Sequence, residues 1–454
     1  SIYCSDFLQY LNTTNTKLVH LYSTDFFRRC RNESNMLRNF TGMLRIAKEC
    51  SSKRWYSYFT PIPVSNNTSF KTNSSPQVGI SIVPKPPTVT PVRYWSQEMT
   101  QFGRNTMERP QFLTEEEHKD FMRVYLSIVE DLLEIPEMED MKETNQWMES
   151  VLHYNVTPGK QIRGQLTAIS YKYFAKRNPK KKNIHLSYIL GWCAEILNAC
   201  LVVADDIMDE SETRRGRPCW YKVDNLGLAA INDAFLLKTI IYQVLQKNFK
   251  DESYFPKVTS MIFDVVYKTL CGQSLDTRTS LERKMEMYNA STLFASYIKY
   301  KTSLYTYYLP IALAMTMAEI NDPTLFQEVQ NMALGMGHFF QVRDDFLDCF
   351  GDVEMTGKIG TDIENCKCSW LFVTAMQSCS PEQKKLLMEN YGQREPQKVS
   401  VVKNLYNELR LEDAYCRFEE QTYNQIGAQI QQMSNELPKS LFFKMLHTIY
   451  KRSK

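Results

Sequence analysis

The segment LVVADDIMDE (residues 201–210) runs from apolar residues directly into a cluster of acids, and its aspartates follow the pattern Asp-Asp-x-x-Asp. On an α-helix the first and third of these, Asp205 and Asp209, lie four residues apart and share one face. The apolar residues before them predict the end of a buried helix, where the helix dipole makes further carboxylates unfavourable. Without a cation this arrangement would cost free energy, so the segment predicts a cation site at a helix end.

The same pattern recurs in FFQVRDDFLDCFGD (residues 339–352), as Asp344, Asp345 and Asp348, while Asp206 completes the first cluster. The clusters begin 139 residues apart (344 minus 205) and belong to different helices, which a bundle can place across one cavity. Mg²⁺ takes oxygen ligands and bridges carboxylates to phosphate oxygens. One cluster alone could be a solvated helix end, but two of them, each after an apolar run, favour a diphosphate held by several Mg²⁺ ions.

Basic residues follow each acid cluster. TRRGRPCWY (213–221) places Arg214 and Arg215 after the first, where guanidinium groups suit phosphate oxygens. TGKIGTD (356–362) places Lys358 in a glycine-flanked loop after the second. These cations are expected to complete the coordination of a diphosphate.

A third basic segment, TPGKQIRG (157–164), precedes both clusters. Gly159 permits close backbone approach, and Lys160 and Arg163 lie three apart at a predicted helix start, where anions are favoured. We therefore predict phosphate contacts here too. Lys301 and Thr302, in the tyrosine-rich segment 297–310, are ambiguous, because a lysine can also extend from an aromatic core to solvent.

Composition excludes several function classes. The chain has 454 residues, 43% hydrophobic residues and a formal net charge of +3, so nothing global predicts a nucleic-acid partner. Its 12 cysteines form no CxxC pair, which favours reduced thiols and an intracellular, cytoplasmic or mitochondrial, location. The apolar segment 187–204 carries Glu195 and Asn198, so we expect a core helix and no membrane span.

The chain divides into two regions of different composition. Residues 1–98 are basic and rich in Ser, Asn and Pro, as in a mitochondrial targeting segment or a disordered extension. From about residue 112, apolar residues recur at three and four spacing, as in 121–135 and 233–249. An all-α domain spanning 99–454 is therefore expected.

This constellation has a chemical meaning. Mg²⁺, Lys and Arg around a diphosphate neutralise the charge that develops as the diphosphate leaves. The group left behind must tolerate becoming a cation, as an allylic prenyl chain does in a dry aromatic cavity. A prenyl diphosphate is therefore the expected substrate.

From about residue 112 to 454 the chain resembles the farnesyl diphosphate synthases of insects and animals, which are trans-isoprenyl diphosphate synthases. The motifs that carry this resemblance are ADDIMD, TRRGRPCWY, AINDAFLL, GQSLD, KYKTSLY, DDFLDCFGD, TGKIGTDI and NCKCSWL. The resemblance implies the all-α isoprenoid synthase type I bundle around a central prenyl diphosphate cavity, a homodimer and three Mg²⁺ ions.

The resemblance also implies roles for individual residues. Asp205, Asp209 and Asp344 match direct metal ligands, with Asp206, Asp345 and Asp348 supporting them. Arg214, Lys301 and Lys358 match contacts to the allylic diphosphate, and Thr302, Tyr305 and Gln341 match positions near the reacting carbon. Gly159, Lys160, Arg163 and Arg215 match the site of the second, homoallylic diphosphate.

Four positions depart from the family pattern. Pro158 replaces a glycine before Gly159, and Asn198 replaces a glutamine of the isopentenyl diphosphate site. Cys200 and Leu201 replace the aromatic pair that limits chain length, and Arg343 replaces a glutamine before the second acid cluster.

These departures suggest that ionisation is retained and condensation impaired. The sequence therefore favours an insect-type class I terpene synthase that converts (E,E)-farnesyl diphosphate to a sesquiterpene in a widened pocket. The alternative is a farnesyl diphosphate synthase that condenses isopentenyl diphosphate with dimethylallyl or geranyl diphosphate. A noncatalytic subunit is disfavoured because both acid clusters are complete.

Overall fold

The computed structural model describes residues 112–134, 141–175, 181–282, 290–352 and 356–450, which fall within one compact unit. The expectations for residues 1–98, and the boundary at 98/99, lie outside these residues.

Helices account for most of the described chain, so the all-α fold class is confirmed. In chain order they are α1 (Glu115–Leu133), α2 (Lys142–Asn155), α3 (Ile162–Phe174), α4 (Lys181–Met208), α5 (Ala230–Phe249), α6 (Phe255–Glu282), α7 (Ala290–Tyr297), α8 (Leu309–Met317), α9 (Pro323–Phe350), α10 (Trp370–Ser378), α11 (Pro381–Asn390), α12 (Pro396–Glu408), α13 (Leu411–Gln432) and α14 (Lys439–Ile449). Short 3₁₀ turns span Trp220–Asn225 and Gly227–Ala229, and a π-helical segment spans Ile298–Tyr308.

Local sequence sets several helix starts. Thr114 and Glu117 form a capping box at the start of α1, and Ser380 and Gln383 do the same for α11. Asp322 caps α9, whose first residue is proline. These side chains satisfy backbone N–H groups that have no partner within the helix.

The central helix is α4, which lies between α3 and α5. Gly164 of α3 and Gly191 of α4 meet so closely that a Cβ at Gly191 would lie 2.6 Å from the Gly164 carbonyl oxygen. By length and composition two helical stretches, Asn183–Met208 and Gly227–Phe249, could cross a membrane; 83% of the apolar window is buried in the first and 44% in the second. The first is therefore a core helix here, whereas the second leaves apolar side chains exposed.

The π-helical segment Ile298–Tyr308 lies between α6 and α9. Two glycines allow this packing. A Cβ at Gly272 of α6 would lie 2.4 Å from the backbone nitrogen of Lys301, and one at Gly337 of α9 would lie 2.1 Å from Ser303 Oγ. π-Helical turns are rare and frequent at functional sites. This one carries Lys301, Thr302 and Tyr305.

A two-stranded antiparallel ribbon follows α4. Its strands β1 (Thr213–Arg214) and β2 (Arg217–Pro218) pair Arg214 with Arg217. The turn consists of Arg215 and Gly216, which have φ values of 55° and 71°. This ribbon, the only sheet among the described residues, projects the arginines that follow the first acid cluster.

Candidate active site

The first acid cluster occupies the last turn of α4, as the apolar run before it predicts. Asp205 accepts hydrogen bonds from Lys301 Nζ (3.0 Å) and Gln273 Nε2 (2.9 Å). Asp209 accepts one from Lys367 Nζ (2.7 Å). Protonated amines therefore compensate the charge of these carboxylates.

Asp276 of α6 is a buried counterion for both lysines. It accepts from Lys301 at 2.7 Å and from Lys367 at 2.8 Å, and it is 5% exposed. Burial opposes the charge on Lys301, but Asp205 and Asp276 outweigh it and hold the pKa of this lysine well above its ordinary value. Both lysines are thus fixed as cations beneath the first cluster.

Burial and neighbouring charges shift the pKa values of the two aligned acids, Asp205 and Asp209, in opposite directions. Although burial disfavours ionisation of Asp205, Lys301 and Lys367 lower the pKa of its carboxyl group. For Asp209, burial and the neighbouring charge of Asp205 raise the pKa. Such a pair gains most from a divalent cation, which neutralises the repulsion between its carboxylates.

Asp206 holds the ribbon. It is 3% exposed and accepts from Arg214 Nε at 2.9 Å and from Arg214 Nη2. The Arg214 guanidinium also lies 4.0 Å from Asp205 Oδ2. Arg214 is therefore held beside the first cluster by a carboxylate of the same motif.

The second cluster lies at the end of α9. Lys358 Nζ lies 3.5 Å from Asp344 and 3.3 Å from Asp348. The Asp344 side chain is 47% exposed, whereas Asp348 is nearly buried and accepts from the Asp362 backbone N–H at 3.0 Å. Asp344 is thus the most accessible carboxylate of this cluster.

Asp345 has a different environment from its neighbours. It is 3% exposed and accepts from Gln341 Nε2 (2.9 Å) and from the Trp370 backbone N–H (2.7 Å) at the start of α10. Burial raises its pKa to about 7. Asp345 therefore joins α9 to α10.

Two sets of hydrogen bonds connect the clusters. The Gly216 N–H of the ribbon donates to the Gly357 carbonyl, next to Lys358, at 2.8 Å. The segment 365–370 reaches Asp209 at one end, through Asn365 and Lys367, and Asp345 at the other, through the Trp370 N–H. The two clusters are therefore linked through the ribbon and the segment 365–370.

A second cationic group surrounds Gly159. Arg215 Nη1 donates to the carbonyls of Asn155 (3.3 Å) and Pro158. Gly159 has a φ of 105°, and a Cβ there would lie 2.9 Å from Arg215 Nε. Lys160 follows this glycine directly. The two basic segments predicted to bind phosphate, 157–164 and 213–221, thus meet.

Arg163 links this group to the π-helical segment. Its Nη2 donates to Tyr305 Oη (2.9 Å) and Thr306 Oγ1 (2.8 Å), and its guanidinium carbon lies 4.5 Å from the centre of the Tyr305 ring. Its buried Nε has no hydrogen-bond partner. Nearby, Thr302 Oγ1 donates to Gln341 Oε1 at 2.8 Å, joining the π-helical segment to α9.

Three further predicted residues lie on α4 before the acids. Asn198 is 4% exposed. Cys200 and Leu201 are half-buried and pack against the main hydrophobic core. Leu201 precedes Asp205 by four residues and so lies one turn away on the same face of the helix.

The donor set fits Mg²⁺. Within the described ranges, no three acidic, histidine or cysteine side chains converge as a preformed metal site. Asp205, Asp209 and Asp344 nevertheless offer carboxylate oxygens, and Mg²⁺ commonly takes one or two carboxylates and completes its shell with water and phosphate. A metal arriving with a diphosphate would fit these residues better than a metal held by protein alone.

Some site residues were not selected from the sequence. They are Gln273, Asp276, Asp362 and Asn365. GQSLD and NCKCSWL contain most of them, but neither motif has a ligand spacing that predicts chemistry by itself. Asp276 shows its role only when Lys301 and Lys367, 25 and 91 residues away, converge on it.

Comparison with known proteins places this site in a family. A model described as polyprenyl synthetase matches residues 145–409. The farnesyl pyrophosphate synthase of Murgantia histrionica is 43% identical over 350 residues, covering 76% of this chain and 84% of that protein. Farnesyl pyrophosphate synthase 1, mitochondrial, of Arabidopsis thaliana is 41% identical over 336 residues, covering 74% and 87%.

Solved structures agree. The T. brucei farnesyl diphosphate synthase complexed with risedronate superimposes with a TM-score of 0.69 at 31% identity, covering 74% of this chain and 100% of that one. The expected isoprenoid synthase fold is thereby confirmed.

The prediction of a sesquiterpene synthase is wrong. Relatives that are 39–43% identical over most of the chain are named farnesyl pyrophosphate synthases, which supports the alternative. The departures that suggested a terpene synthase also leave the second cationic group assembled, because Pro158 contributes a carbonyl to Arg215 and needs no N–H for this.

Arg343 was one of the four departures taken to suggest impaired condensation, but its contacts lie elsewhere. Its Nη1 donates to Glu419 (2.6 Å) and to the Ile449 carbonyl (3.3 Å) at the end of α14. This arginine therefore braces the C-terminal helices, and its presence before the second cluster is no evidence against condensation.

The two aspartate clusters, the cations that border them and the matching family model over residues 145–409 lead to one assignment. The chain belongs to the polyprenyl synthetase family and is an isoprenoid diphosphate enzyme of the farnesyl diphosphate synthase-like, trans-isoprenyl type.

Proposed function

We propose that this protein is a prenyltransferase that condenses isopentenyl diphosphate with dimethylallyl or geranyl diphosphate to give farnesyl diphosphate. The observation that carries the proposal is the presence of two separate cationic groups. One contains Arg214, Lys301 and Lys358 beside the acids, and the other contains Arg215 beside Gly159. Condensation needs two diphosphates bound at once, whereas ionisation of one substrate needs a single site.

The acid-lined group suits the allylic diphosphate. Asp205, Asp209 and Asp344 are the carboxylates we assign to Mg²⁺, with three ions as the expected number. Bound Mg²⁺ would supply the positive charge that stabilises the departing diphosphate. Lys301 and Lys358 have raised pKa values because the carboxylates outweigh the effect of burial, so both remain cationic toward the leaving group.

The remaining acids have supporting roles in this proposal. Asp206 holds Arg214, Asp348 holds Lys358, and Asp345 fixes the junction of α9 with α10. Asp206 and Asp348 thus set where the cations lie, and Asp345 sets where the helices meet. None of the three needs to bind a metal ion directly.

The second group suits the homoallylic diphosphate. Lys160, Arg163 and Arg215 are the cations we assign to it, and Arg215 lies against Gly159, which allows close approach to the backbone. Arg163 ties this group to the π-helical segment through Tyr305 and Thr306. Asn198 is assigned to the same substrate.

Between the two groups, the prenyl chain would contact the π-helical segment and α4. Thr302 and Gln341, joined by their hydrogen bond, border the reacting carbon, and Tyr305 of the same segment packs against the Arg163 guanidinium. Cys200 and Leu201 are assigned to the wall beside the growing chain.

Product analysis tests the proposal. Full-length protein is incubated with Mg²⁺, geranyl diphosphate and radiolabelled isopentenyl diphosphate, and the products are dephosphorylated and separated by chain length. We expect labelled farnesol, and no label transfer after chelation of the metal. Absence of any longer labelled product with active metal and both substrates would contradict the proposal.

We also propose a homodimer, formed through the apolar face of α5. Ile231, Phe235 and Tyr242 are 43%, 62% and 43% exposed, and they recur at helical spacing on one side of the helix. Tyr267 of α6 is 68% exposed. A second copy would remove this surface from water, which is the common reason for such patches.

For location, we propose the cytoplasm or the mitochondrion. None of the nine cysteines in the described ranges forms a disulfide, as in reducing compartments. The Arabidopsis thaliana relative is named as mitochondrial. We propose that residues 1–98 are an extension to a catalytic region 99–454. This extension can be fused to a fluorescent protein. Mitochondrial fluorescence would support a targeting role, and diffuse fluorescence would contradict it.

A further inference from the structure

A single buried carboxylate, Asp233, joins three elements near the second cationic group. It lies in the first turn of α5 and is 2% exposed. Its Oδ1 accepts from the Trp147 indole N–H and its Oδ2 from the Trp220 indole N–H, both at 2.8 Å. The two indole rings lie 5.5 Å apart, so Asp233 draws α2 and the end of the ribbon together.

These two elements carry the residues assigned to the homoallylic diphosphate. Helix α2 ends at Asn155 and leads into the Gly159–Lys160 turn, and the ribbon that ends before Trp220 carries Arg215. They also touch through Tyr154, whose hydroxyl donates to the Pro218 carbonyl at 2.8 Å.

The allylic side has its own anchor. Arg214 is fixed by two hydrogen bonds to Asp206 of α4. Arg215, in contrast, is held by backbone carbonyls of Asn155 and Pro158, which move with α2. A shift between α2 and the ribbon would therefore displace Arg215 relative to Gly159 while Arg214 stays with the first acid cluster.

We infer that Asp233 is a positioning residue for the homoallylic diphosphate, because its two indole contacts fix α2 against the ribbon and so set the place of Arg215 beside Gly159 and Lys160. This inference rests on the proposed condensation. It identifies Asp233 as a determinant of affinity for the second substrate, acting without touching it.

The D233N variant tests this with little change of shape. An amide can accept from one indole but presents an N–H group to the other, so one buried donor loses its partner. We expect the Kd for isopentenyl diphosphate, measured by calorimetry on the full-length protein, to rise by roughly tenfold, with KM for geranyl diphosphate changed by less than about twofold.

A second substitution checks the mechanism by rescue. In D233N/W147F the amide no longer faces the Trp147 N–H and can accept from Trp220 alone, so part of the lost affinity should return. W147F alone leaves the carboxylate bonded to Trp220 and should raise the Kd by only about threefold.

The matched control is W192F. Trp192 is a fully buried indole of α4 that donates to the Phe121 carbonyl at 2.7 Å, far in sequence from the ribbon. This variant should lower thermal stability without changing the ratio of the two substrate affinities. The inference is overturned if D233N raises the Kd for isopentenyl diphosphate and the KM for geranyl diphosphate equally. It is also overturned if D233N alters isopentenyl diphosphate binding no more than W192F does.

Binding and turnover separate this inference from the proposed function. Wild-type protein that binds isopentenyl diphosphate, loses affinity on D233N and yet makes no longer diphosphate would overturn the proposed reaction and support the role of Asp233. Wild-type protein that binds no isopentenyl diphosphate would overturn both.

Discussion

Adjacent aspartates of one motif have different environments. Asp344 is exposed beside Lys358, whereas Asp345 is buried and bonded to Gln341 and to the start of α10. The sequence predicted that Asp344 and Asp345 both belong to the site, because both are part of the Asp-Asp-x-x-Asp motif. The spacing of this motif identifies only the helix face that Asp344 shares with Asp348. It could not show that Asp345 faces Trp370, whose position depends on how α10 packs.

Substitution should separate these roles. D344A should lower kcat by about a thousandfold or more, because it removes charge stabilisation of the leaving group, while thermal stability stays close to wild type. D345A should instead destabilise the fold by roughly 1–3 kcal/mol, because it leaves the buried Trp370 N–H without an acceptor. Activity assays and thermal unfolding check the pair; a D345A protein as stable as wild type would contradict the structural role.

The half-buried side chain of Leu201 is expected to limit product length. It lies one helical turn, about 5.4 Å, from Asp205, so a prenyl chain extending from the metal-bound diphosphate passes it. L201F should shorten the longest product made from geranyl and isopentenyl diphosphates, and C200F provides a second probe of the same wall. An unchanged product distribution in both variants would show that the chain lies elsewhere.

At the scale of elements, the helices that carry the acids were predictable and the π-helical segment was not. An apolar run followed by acids identifies the end of a buried helix from local sequence alone. The π-helical form of 298–308 depends on close approach to Gly272 and Gly337, which are far away in sequence. Arg343 was misjudged for the same reason, since Glu419 lies 76 residues further along the chain.

Two glycines of α9 provide a matched test of this packing. A Cβ at Gly337 would lie 2.7 Å from the Ser303 Cα, whereas one at Gly335 would meet nothing within 4 Å. G337A should destabilise the protein by about 1–3 kcal/mol and reduce activity by displacing the segment that holds Lys301 and Thr302. G335A should be neutral or stabilising by up to about 1 kcal/mol.

Chemical denaturation and kcat measurements on both variants decide the matter. Equal stability and activity of G337A and G335A would contradict the close approach.

At the scale of the whole molecule, the exposed face of α5 lies on the helix that also carries Asp233. F235D should weaken or abolish the dimer, because a charge buried at an apolar interface is unfavourable. Light scattering with size-exclusion chromatography measures the mass. Q243E, a new charge at an exposed position of the same helix outside this face, is the control. A wild-type protein that is monomeric at micromolar concentration would contradict the proposed assembly.

At this scale, four elements contribute side chains to the two proposed diphosphate sites. α4 and α9 supply the carboxylates, the π-helical segment supplies Lys301, and the ribbon supplies one arginine to each site. The fold class and most of these residues could be predicted because the motifs are short and local. The resemblance already implied their division between two sites, whereas the buried partner of Lys301 and Lys367, Asp276, appears only in the contacts of the folded chain.

The most direct test is calorimetric titration of isopentenyl diphosphate into wild-type protein and into the R214A and R215A variants, in the absence of Mg²⁺. The account predicts binding to wild type, near-wild-type affinity in R214A, and a Kd raised by about tenfold or more in R215A, because each arginine serves a different diphosphate. Equal losses in both variants, or none in R215A, would contradict the existence of two separate sites.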